Sequence, residues 1–206
     1  MELVEESVPL RGVALSVLRP RDAEALLDDH AFEHEEYLPY WAELWPSGVE
    51  LARRLAGRSL RGARVLELGC GLGLPSLAAA LAGGRVLATD WSPDAVAFAA
   101  ANARRNGLAV DNAVASWADP EPLVARGPWD LVLASDVLYE RRNGELLAPL
   151  LPRLLARGGR VWLADPRRAA AAPFVARGGD TWSVRTELDP GPPPVELHEL
   201  RRRSAP

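Results

Sequence analysis

The sequence contains no lysine, a single cysteine and no apolar run long enough to cross a membrane. All 24 basic residues are therefore arginines, against 28 acidic residues, and the net charge of −4 argues against a general nucleic-acid binder, which must neutralise phosphates. One cysteine excludes an intramolecular disulfide and any all-cysteine metal site. The first residues are acidic where a signal peptide is basic, so we expect a cytoplasmic protein without a membrane segment.

The missing lysine also bears on residues 62–91, the most informative stretch. An apolar run ends in a loop with three alternating glycines, Gly69, Gly71 and Gly73, and a second apolar run ends in Asp90. This order is typical of a βαβ unit that holds a nucleoside. A P-loop needs a lysine after the glycines, which excludes ATP binding by that route. A dinucleotide-binding fingerprint needs Gly or Ala at the position of Leu74, so the sequence gives little support to NAD or FAD as the ligand.

Two residues at the end of the second run are candidates for binding the nucleoside. Asp90 follows the first glycine by about 20 residues, where a carboxylate can accept both ribose hydroxyls, and Trp91 offers a flat face for adenine. The glycines alone could also form a tight strand-to-helix turn that binds no ligand. The acid Asp90, at the expected place after the second strand, argues against this alternative. Cys70 lies inside the loop, where a small side chain suffices, so we predict no catalytic thiol.

An aromatic stretch precedes this unit. Trp41 and Trp45 lie four residues apart, and Pro46 is expected to begin a helix that ends before Gly57. The tryptophans either cap the open end of the sheet or close over the ligand. Further upstream two histidines, 30 and 34, have a spacing that can hold a metal, but no third ligand with clear spacing follows, so no metal site is predicted.

The rest of the chain alternates strand and helix patterns. Strands that begin near residues 64, 85, 112, 130 and 160 predict repeated βα units in a parallel sheet, and residues 181–188 and 195–200 predict an antiparallel hairpin that completes seven strands. We expect Pro149 and Pro152 to end or kink a helix over residues 145–156.

The predicted fold is therefore a Rossmann-like, doubly wound α/β domain over residues 38–206. A small N-terminal extension, residues 1–37, is expected to hold a short hairpin over residues 8–19 and a helical turn within residues 23–29.

Residues 129–140 supply the acceptor side of the predicted site. The apolar run at residues 130–135 reads as a strand buried on both faces. Because open α/β sheets bind ligands at the carboxyl ends of their strands, Asp136 and Tyr139 should emerge at the ligand crevice. A solvated acid and a packed tyrosine at an ordinary strand end are the alternative.

These motifs resemble class I S-adenosylmethionine (SAM) methyltransferases, and in particular methyltransferase family 16. That family includes the lysine methyltransferases of electron-transfer flavoprotein β subunit, of chaperones and of elongation factors. The resemblance covers roughly residues 38–140. The matching places are Trp45 with Pro46, residues 67–73, Asp90, and Asp136-x-x-Tyr139.

The resemblance implies SAM as the cofactor and Asp136 and Tyr139 as catalytic residues. The implied cofactor-binding residues are Trp45, Glu67, Gly69, Gly71, Gly73, Asp90, Trp91, Ser116, Trp117 and Ser135. For Trp117, packing on a helix remains an alternative to an adenine contact. Nucleic-acid amino methyltransferases carry Asn/Asp-Pro-Pro-Tyr/Phe at the position of Asp136, and both prolines are missing here, which argues against a DNA or RNA base as the substrate.

The predicted function is methyl transfer to a protein lysine amine. Asp136 would attract and orient the cationic amine, and aromatic walls from Trp41, Trp45 and Tyr139 would favour it. Because a nearby carboxylate stabilises the charged amine, we assign Asp136 to positioning and not to the role of base. A small-molecule N-methyltransferase and a SAM-binding module without catalysis remain alternative functions.

Overall fold

The computed structural model describes residues 2–23, 26 and 39–203, which form a mixed α/β fold. The strands are β1 (Leu3–Leu10), β2 (Val13–Pro20), β3 (Arg64–Leu68), β4 (Arg85–Asp90), β5 (Val110–Val114), β6 (Trp129–Ser135), β7 (Leu155–Asp165), β8 (Trp182–Asp189) and β9 (Val195–Arg202). The helices are α1 (Pro46–Ala56), α2 (Leu74–Leu81), α3 (Pro93–Arg105), α4 (Glu121–Ala125), α5 (Arg141–Leu154) and α6 (Ala171–Arg177). Single 3-10 turns occupy Tyr40–Ala42 and Gly178–Asp180.

Within these residues the main sheet has seven strands in the order β5-β4-β3-β6-β7-β9-β8. The first five are parallel, whereas β9 runs antiparallel to both β7 and β8. This confirms the predicted doubly wound sheet with an antiparallel C-terminal hairpin. The chain leaves β3 toward β4 and β5 and then crosses to β6 and β7, so the strand order reverses beside β3, where such sheets open a ligand crevice.

Helices cover both faces of this sheet, as a buried parallel sheet requires. Neighbouring residues of β3 point to opposite faces: Val65 joins the core layer that includes α1 and α2, and Leu66 joins the layer that includes α4, α5 and α6. The predicted helix start at Pro46 is confirmed, and α3 likewise begins at a proline, Pro93. At the second start the Ser92 hydroxyl accepts a hydrogen bond from the Ala95 amide at 3.3 Å.

Two predicted strand boundaries were wrong. The third strand spans Val110–Val114 and not residues 112–116, because its register pairs Val110 with Val86 and the partner strand ends at Asp90. Strand β7 already begins at Leu155, since it continues the pairing with β6 past a bulge.

The helix before β7 does not end at either of the two prolines that were expected to end or kink it, and α5 contains both Pro149 and Pro152. A proline removes the hydrogen bond to the carbonyl four residues earlier. Those carbonyls belong to Glu145 and Ala148, which are exposed, so water can replace the lost donor.

The predicted N-terminal hairpin is present and longer than expected, with a turn at Gly12, whose φ is +80°. It is attached to α3 through asparagine side chains. Asn102 accepts from the Leu18 amide at 2.7 Å and donates to the Leu18 carbonyl at 3.1 Å. Asn106 makes the equivalent pair of bonds to Ser16, at 2.9 and 2.7 Å. The hairpin therefore packs against the same helix that borders the glycine loop.

Several sequence predictions lie outside the described residues. They are the domain boundary between residues 37 and 38, the histidine pair at 30 and 34, and the helical turn over residues 23–29 apart from Ala23 and Leu26. Over the described ranges no helix is both long and apolar enough to span a membrane, and no three His, Cys, Asp or Glu side chains form a group that could hold a metal ion.

Candidate active site

The glycine loop connects β3 to α2 in a conformation that its sequence dictates. Gly71 and Gly73 have φ of +50° and +83°, in the region that favours glycine. A Cβ at Gly71 would lie 3.1 Å from the Trp41 carbonyl oxygen, and one at Gly73 would lie 2.9 Å from the Ala99 Cβ. The loop is thus packed tightly between the aromatic stretch and α3, and any side chain at Gly73 would push α3 away.

Asp90 ends β4 and connects it to this loop. Its Oδ2 accepts a hydrogen bond from the Gly71 amide at 2.9 Å, and its Oδ1 accepts one from the Ser92 amide at 3.0 Å. Burial raises the pKa of Asp90, and the backbone donors counteract that rise. A carboxylate has about four acceptor positions, so two remain for a ligand.

A cavity of about 580 Å³ opens at the carboxyl ends of the parallel strands, within the size range of small-molecule sites. Most of the predicted site residues line it: Trp45, Gly69, Gly71, Asp90, Trp91, Ser116, Trp117, Ser135, Asp136 and Tyr139. Trp117 lines the cavity and also packs against the core layer that includes α5, while its contact with adenine stays a prediction. Ser116 lies in the loop after β5 and accepts a hydrogen bond from the Ala118 amide at 3.2 Å.

Glu67 and Gly73 do not line the cavity. Glu67 is completely buried on β3, where its Oε2 accepts from the Ser76 amide at 2.9 Å and from the Ser76 hydroxyl at 2.5 Å. Its Oε1 has no partner within the described ranges, and burial raises the pKa of this carboxyl to about 8. Glu67 therefore fixes the first turn of α2 beneath the glycine loop, while Gly73 allows the close packing on α3.

Aromatic side chains from the stretch before α1 and from the loop after β6 line the same cavity. The Trp45 indole donates to the Tyr40 carbonyl at 2.7 Å, and the Tyr40 ring lies 6.2 Å from the Trp45 ring and 5.5 Å from the Tyr139 ring. Trp41 instead packs on Phe98 of α3, with ring centroids 5.2 Å apart, while also reaching the cavity. Sequence reasoning missed Tyr40, although its place beside Trp41 was a usable signal.

Asp136 follows β6 with φ of +58°, a left-handed conformation that is uncommon for a residue with a side chain. It is 7% exposed, and its amide donates to the Ala164 carbonyl at 3.0 Å, which anchors it to β7. Its Oδ1 accepts a hydrogen bond from Nε of Arg168 at 2.7 Å and lies 2.6 Å from Nη2 of the same guanidinium, with which it forms an ion pair. Its Oδ2 is buried and has no partner in the part of the chain that the structure describes.

Arg168 was not predicted from the sequence. It comes from the loop after β7, where its amide donates to Oδ1 of buried Asp165 at 2.6 Å, and its guanidinium lies 5.7 Å from the centroid of the Trp45 ring. Burial raises the pKa of Asp165 to about 6. Asn143 of α5 was also missed; it lines the cavity and its buried Nδ2 has no partner among the described residues.

The comparisons with known proteins agree with this geometry. The sequence profile of a family described as lysine methyltransferase matches residues 34–176, which is more than half of the chain. The chain belongs to this family.

Individual relatives give the same assignment. Electron transfer flavoprotein beta subunit lysine methyltransferase of Xenopus laevis is 37% identical over 137 residues, which are 64% of this chain and 54% of that protein. Protein N-lysine methyltransferase METTL21A of Danio rerio is 35% identical over 151 residues, which are 68% of this chain and 69% of that protein. The chain spans only about half the length of the flavoprotein-directed relatives.

Solved structures show the same fold. The N-methyltransferase NodS of Bradyrhizobium japonicum WM9, in complex with S-adenosylhomocysteine (SAH), superposes with a TM-score of 0.64 at 18% identity, covering 81% of this chain and 92% of that one. At this identity the likeness establishes the Rossmann-like fold alone.

The buried Glu67 carboxyl predicts a pH-dependent stability. Its pKa rises on folding from an ordinary 4.5 to about 8, so the folded state holds the proton more tightly. The stability that this proton supplies is complete below pH 4.5 and is lost as the pH rises through 8. We expect the unfolding free energy of the wild type, relative to Glu67→Gln, to fall across this window in urea titrations. Glu145→Gln, on an exposed part of α5, is the matched control and should not show this fall. If the unfolding free energies of wild type and Glu67→Gln change in parallel with pH, the prediction is wrong.

Proposed function

We propose that the chain is a SAM-dependent methyltransferase that methylates a protein lysine amine. The observation that carries this proposal is the placement of two buried carboxylates, Asp90 after β4 and Asp136 after β6, on one cavity. One belongs to a nucleoside-binding unit, and the other lies beside aromatic rings that suit a cation. Membership of the lysine methyltransferase family supports the same chemistry.

The donor end of the cavity fits a nucleoside that has no phosphate. Asp90 faces the space beside the glycine loop, and its carboxylate would repel a phosphate, whereas ribose hydroxyls can donate to its remaining acceptor positions. Trp91 and Trp117 line the same part of the cavity and offer flat faces for adenine. These residues would hold SAM, which supplies the methyl group when bound.

The acceptor end suits an amine. Oδ2 of Asp136 is buried without a partner among the described residues, and a small rotation of the carboxylate toward the cavity would let it accept an N–H of the acceptor. The rings of Tyr40, Trp45 and Tyr139 line the same cavity, and aromatic rings favour a cationic side chain on its way to the reacting position. Methyl transfer needs chiefly an aligned, close approach of donor and acceptor, so these contacts contribute through positioning.

The substrate class can be read from labelling experiments. Purified protein is incubated with methyl-tritiated SAM and a cell lysate, and the protein fraction is hydrolysed and analysed for methyl-lysine. We expect label in methyl-lysine, and the enzyme's own side chains add none because the chain has no lysine. Label confined to small molecules would replace the proposal with a small-molecule N-methyltransferase. If no methyl group is transferred but SAH binding is measurable, the chain would be a SAM-binding module without catalysis.

The cofactor is tested separately by thermal unfolding with each ligand. Protection from heat by NAD or ATP, but not by SAM or SAH, would refute SAM as the cofactor.

Asp90→Asn tests the donor end. The amide cannot accept all the hydrogen bonds of the carboxylate, so we expect SAH affinity to fall about ten- to a hundred-fold, the usual worth of a hydrogen bond to a charged group. Isothermal titration calorimetry measures this loss. Asp94→Asn, on the exposed first turn of α3, is the matched control and should retain wild-type affinity. Equal affinities of Asp90→Asn and wild type would remove Asp90 from the cofactor site.

Asp136→Asn tests the acceptor end. Asparagine tolerates the left-handed backbone at this position, so the variant should fold. We expect turnover to fall more than about a hundred-fold, as when a group acting on the reacting atoms is removed, while SAH affinity stays within about three-fold. Labelling rates and calorimetry on the same preparation give both values. Undiminished turnover would exclude Asp136 from the mechanism.

A further inference from the structure

Arg168 engages only one oxygen of Asp136. Its Nε donates a hydrogen bond to Oδ1 and its Nη2 forms an ion pair with the same oxygen, whereas Oδ2 remains buried without a partner in the described part of the chain. A buried carboxylate oxygen without a partner is costly. A ligand N–H that reached Oδ2 would remove this cost without displacing the arginine.

The arginine is itself held in place. Its amide is bonded to Asp165, its guanidinium lies against the Trp45 ring, and its side chain is only 33% exposed. Its neighbour Arg167 points elsewhere, toward Glu196 of β9 at 3.4 Å, and is 59% exposed. Arg168 is therefore a fixed part of the acceptor end, whereas Arg167 lies on the surface beside it.

The charge around the acceptor position matters for the chemistry. A lysine amine has an ordinary pKa of about 10.4 and must lose a proton before its lone pair can react. A lone carboxylate would favour the charged ammonium, whereas a guanidinium close by disfavours it. Among the residues that the structure describes, the other ionisable groups that face the cavity or border this pair are Tyr40, Glu43, Cys70, Asp90, Tyr139, Glu140, Arg142, Asp165 and the Arg167–Glu196 pair.

We propose that Arg168 is a positioning residue for the methyl transfer: it holds Oδ1 of Asp136 so that Oδ2 meets the acceptor nitrogen, and its positive charge promotes loss of the ammonium proton. This inference rests on the proposed function. The proton leaves to solvent through the open mouth of the cavity. The nitrogen lone pair then forms the N–C bond as the S–C bond breaks, and the electrons of that bond remain on sulfur.

The test is the pH dependence of kcat. The acceptor is the protein of the labelled band from the lysate experiment, purified and supplied at saturating concentration, so that kcat reports the bound amine. We expect Arg168→Gln to move the rising limb of the pH profile of kcat to higher pH by about one unit or more. Near neutral pH this shift lowers kcat about ten-fold, and the difference from wild type becomes smaller at alkaline pH. Arg168→Lys keeps the positive charge, so the rising limb of its kcat profile should stay close to the pH at which it lies in the wild type.

Controls separate this role from a structural one. Arg167→Gln removes the same charge one residue away and should leave the profile unchanged. SAH affinity of Arg168→Gln by calorimetry should stay close to wild type, because the residue lies at the acceptor end. Its melting temperature should fall, since the buried Asp136 carboxylate loses its cation, so the rates are measured below the melting temperature of the variant. A rate that falls equally at every pH would show a structural role, and a rate that rises at every pH would show that Arg168 blocks the acceptor; either outcome overturns the inference. Failure of the wild type to label lysine would instead refute the proposed function.

Discussion

The hydrogen bonds of the buried Asp90 carboxylate hold together the end of the cavity where the nucleoside is expected. The Cys70 amide bonds the loop after β3 to the Thr89 carbonyl of β4 at 2.9 Å, and the Asp90 side chain adds a bond to the Gly71 amide and one to the Ser92 amide at the start of α3. Hydrogen bonds to a charged acceptor are stronger than those between neutral groups. Because one side chain makes both bonds, the residue that would bind a ribose also shapes the loop that surrounds it.

The same loop is supported from the opposite side by the N-terminal hairpin. Asn102 donates to the Leu72 carbonyl at 3.0 Å and also bonds both backbone groups of Leu18, so one amide joins the loop, α3 and β2. An amide side chain can do this because it carries both donors and an acceptor. The hairpin therefore belongs to the support of the cavity, although its sequence suggested a separate extension.

Local sequence patterns predicted the parts of the site that lie along single elements. The glycine loop, Asp90 and the Asp136-x-x-Tyr139 motif each follow a strand, and strand ends in a parallel sheet meet at one edge. Arg168 could not be found in this way, because it meets Asp136 across 32 residues through a loop whose path only the folded sheet defines. The limits of β5 were likewise set by its partner strand and not by its own residues.

The two cavity carboxylates have different partners, and we infer that this difference suits them to the two roles proposed for them. Asp90 is bonded to backbone amides, which are neutral and leave its negative charge in place, whereas Asp136 is bonded to the Arg168 guanidinium, which offsets its charge. An anionic donor end suits hydroxyl groups, because a hydroxyl donates a stronger hydrogen bond to a charged acceptor than to a neutral one. An equally anionic acceptor end would hold a lysine as its unreactive ammonium. A carboxylate that orients the amine without trapping its proton requires a nearby cation, and the loop after β7 provides one.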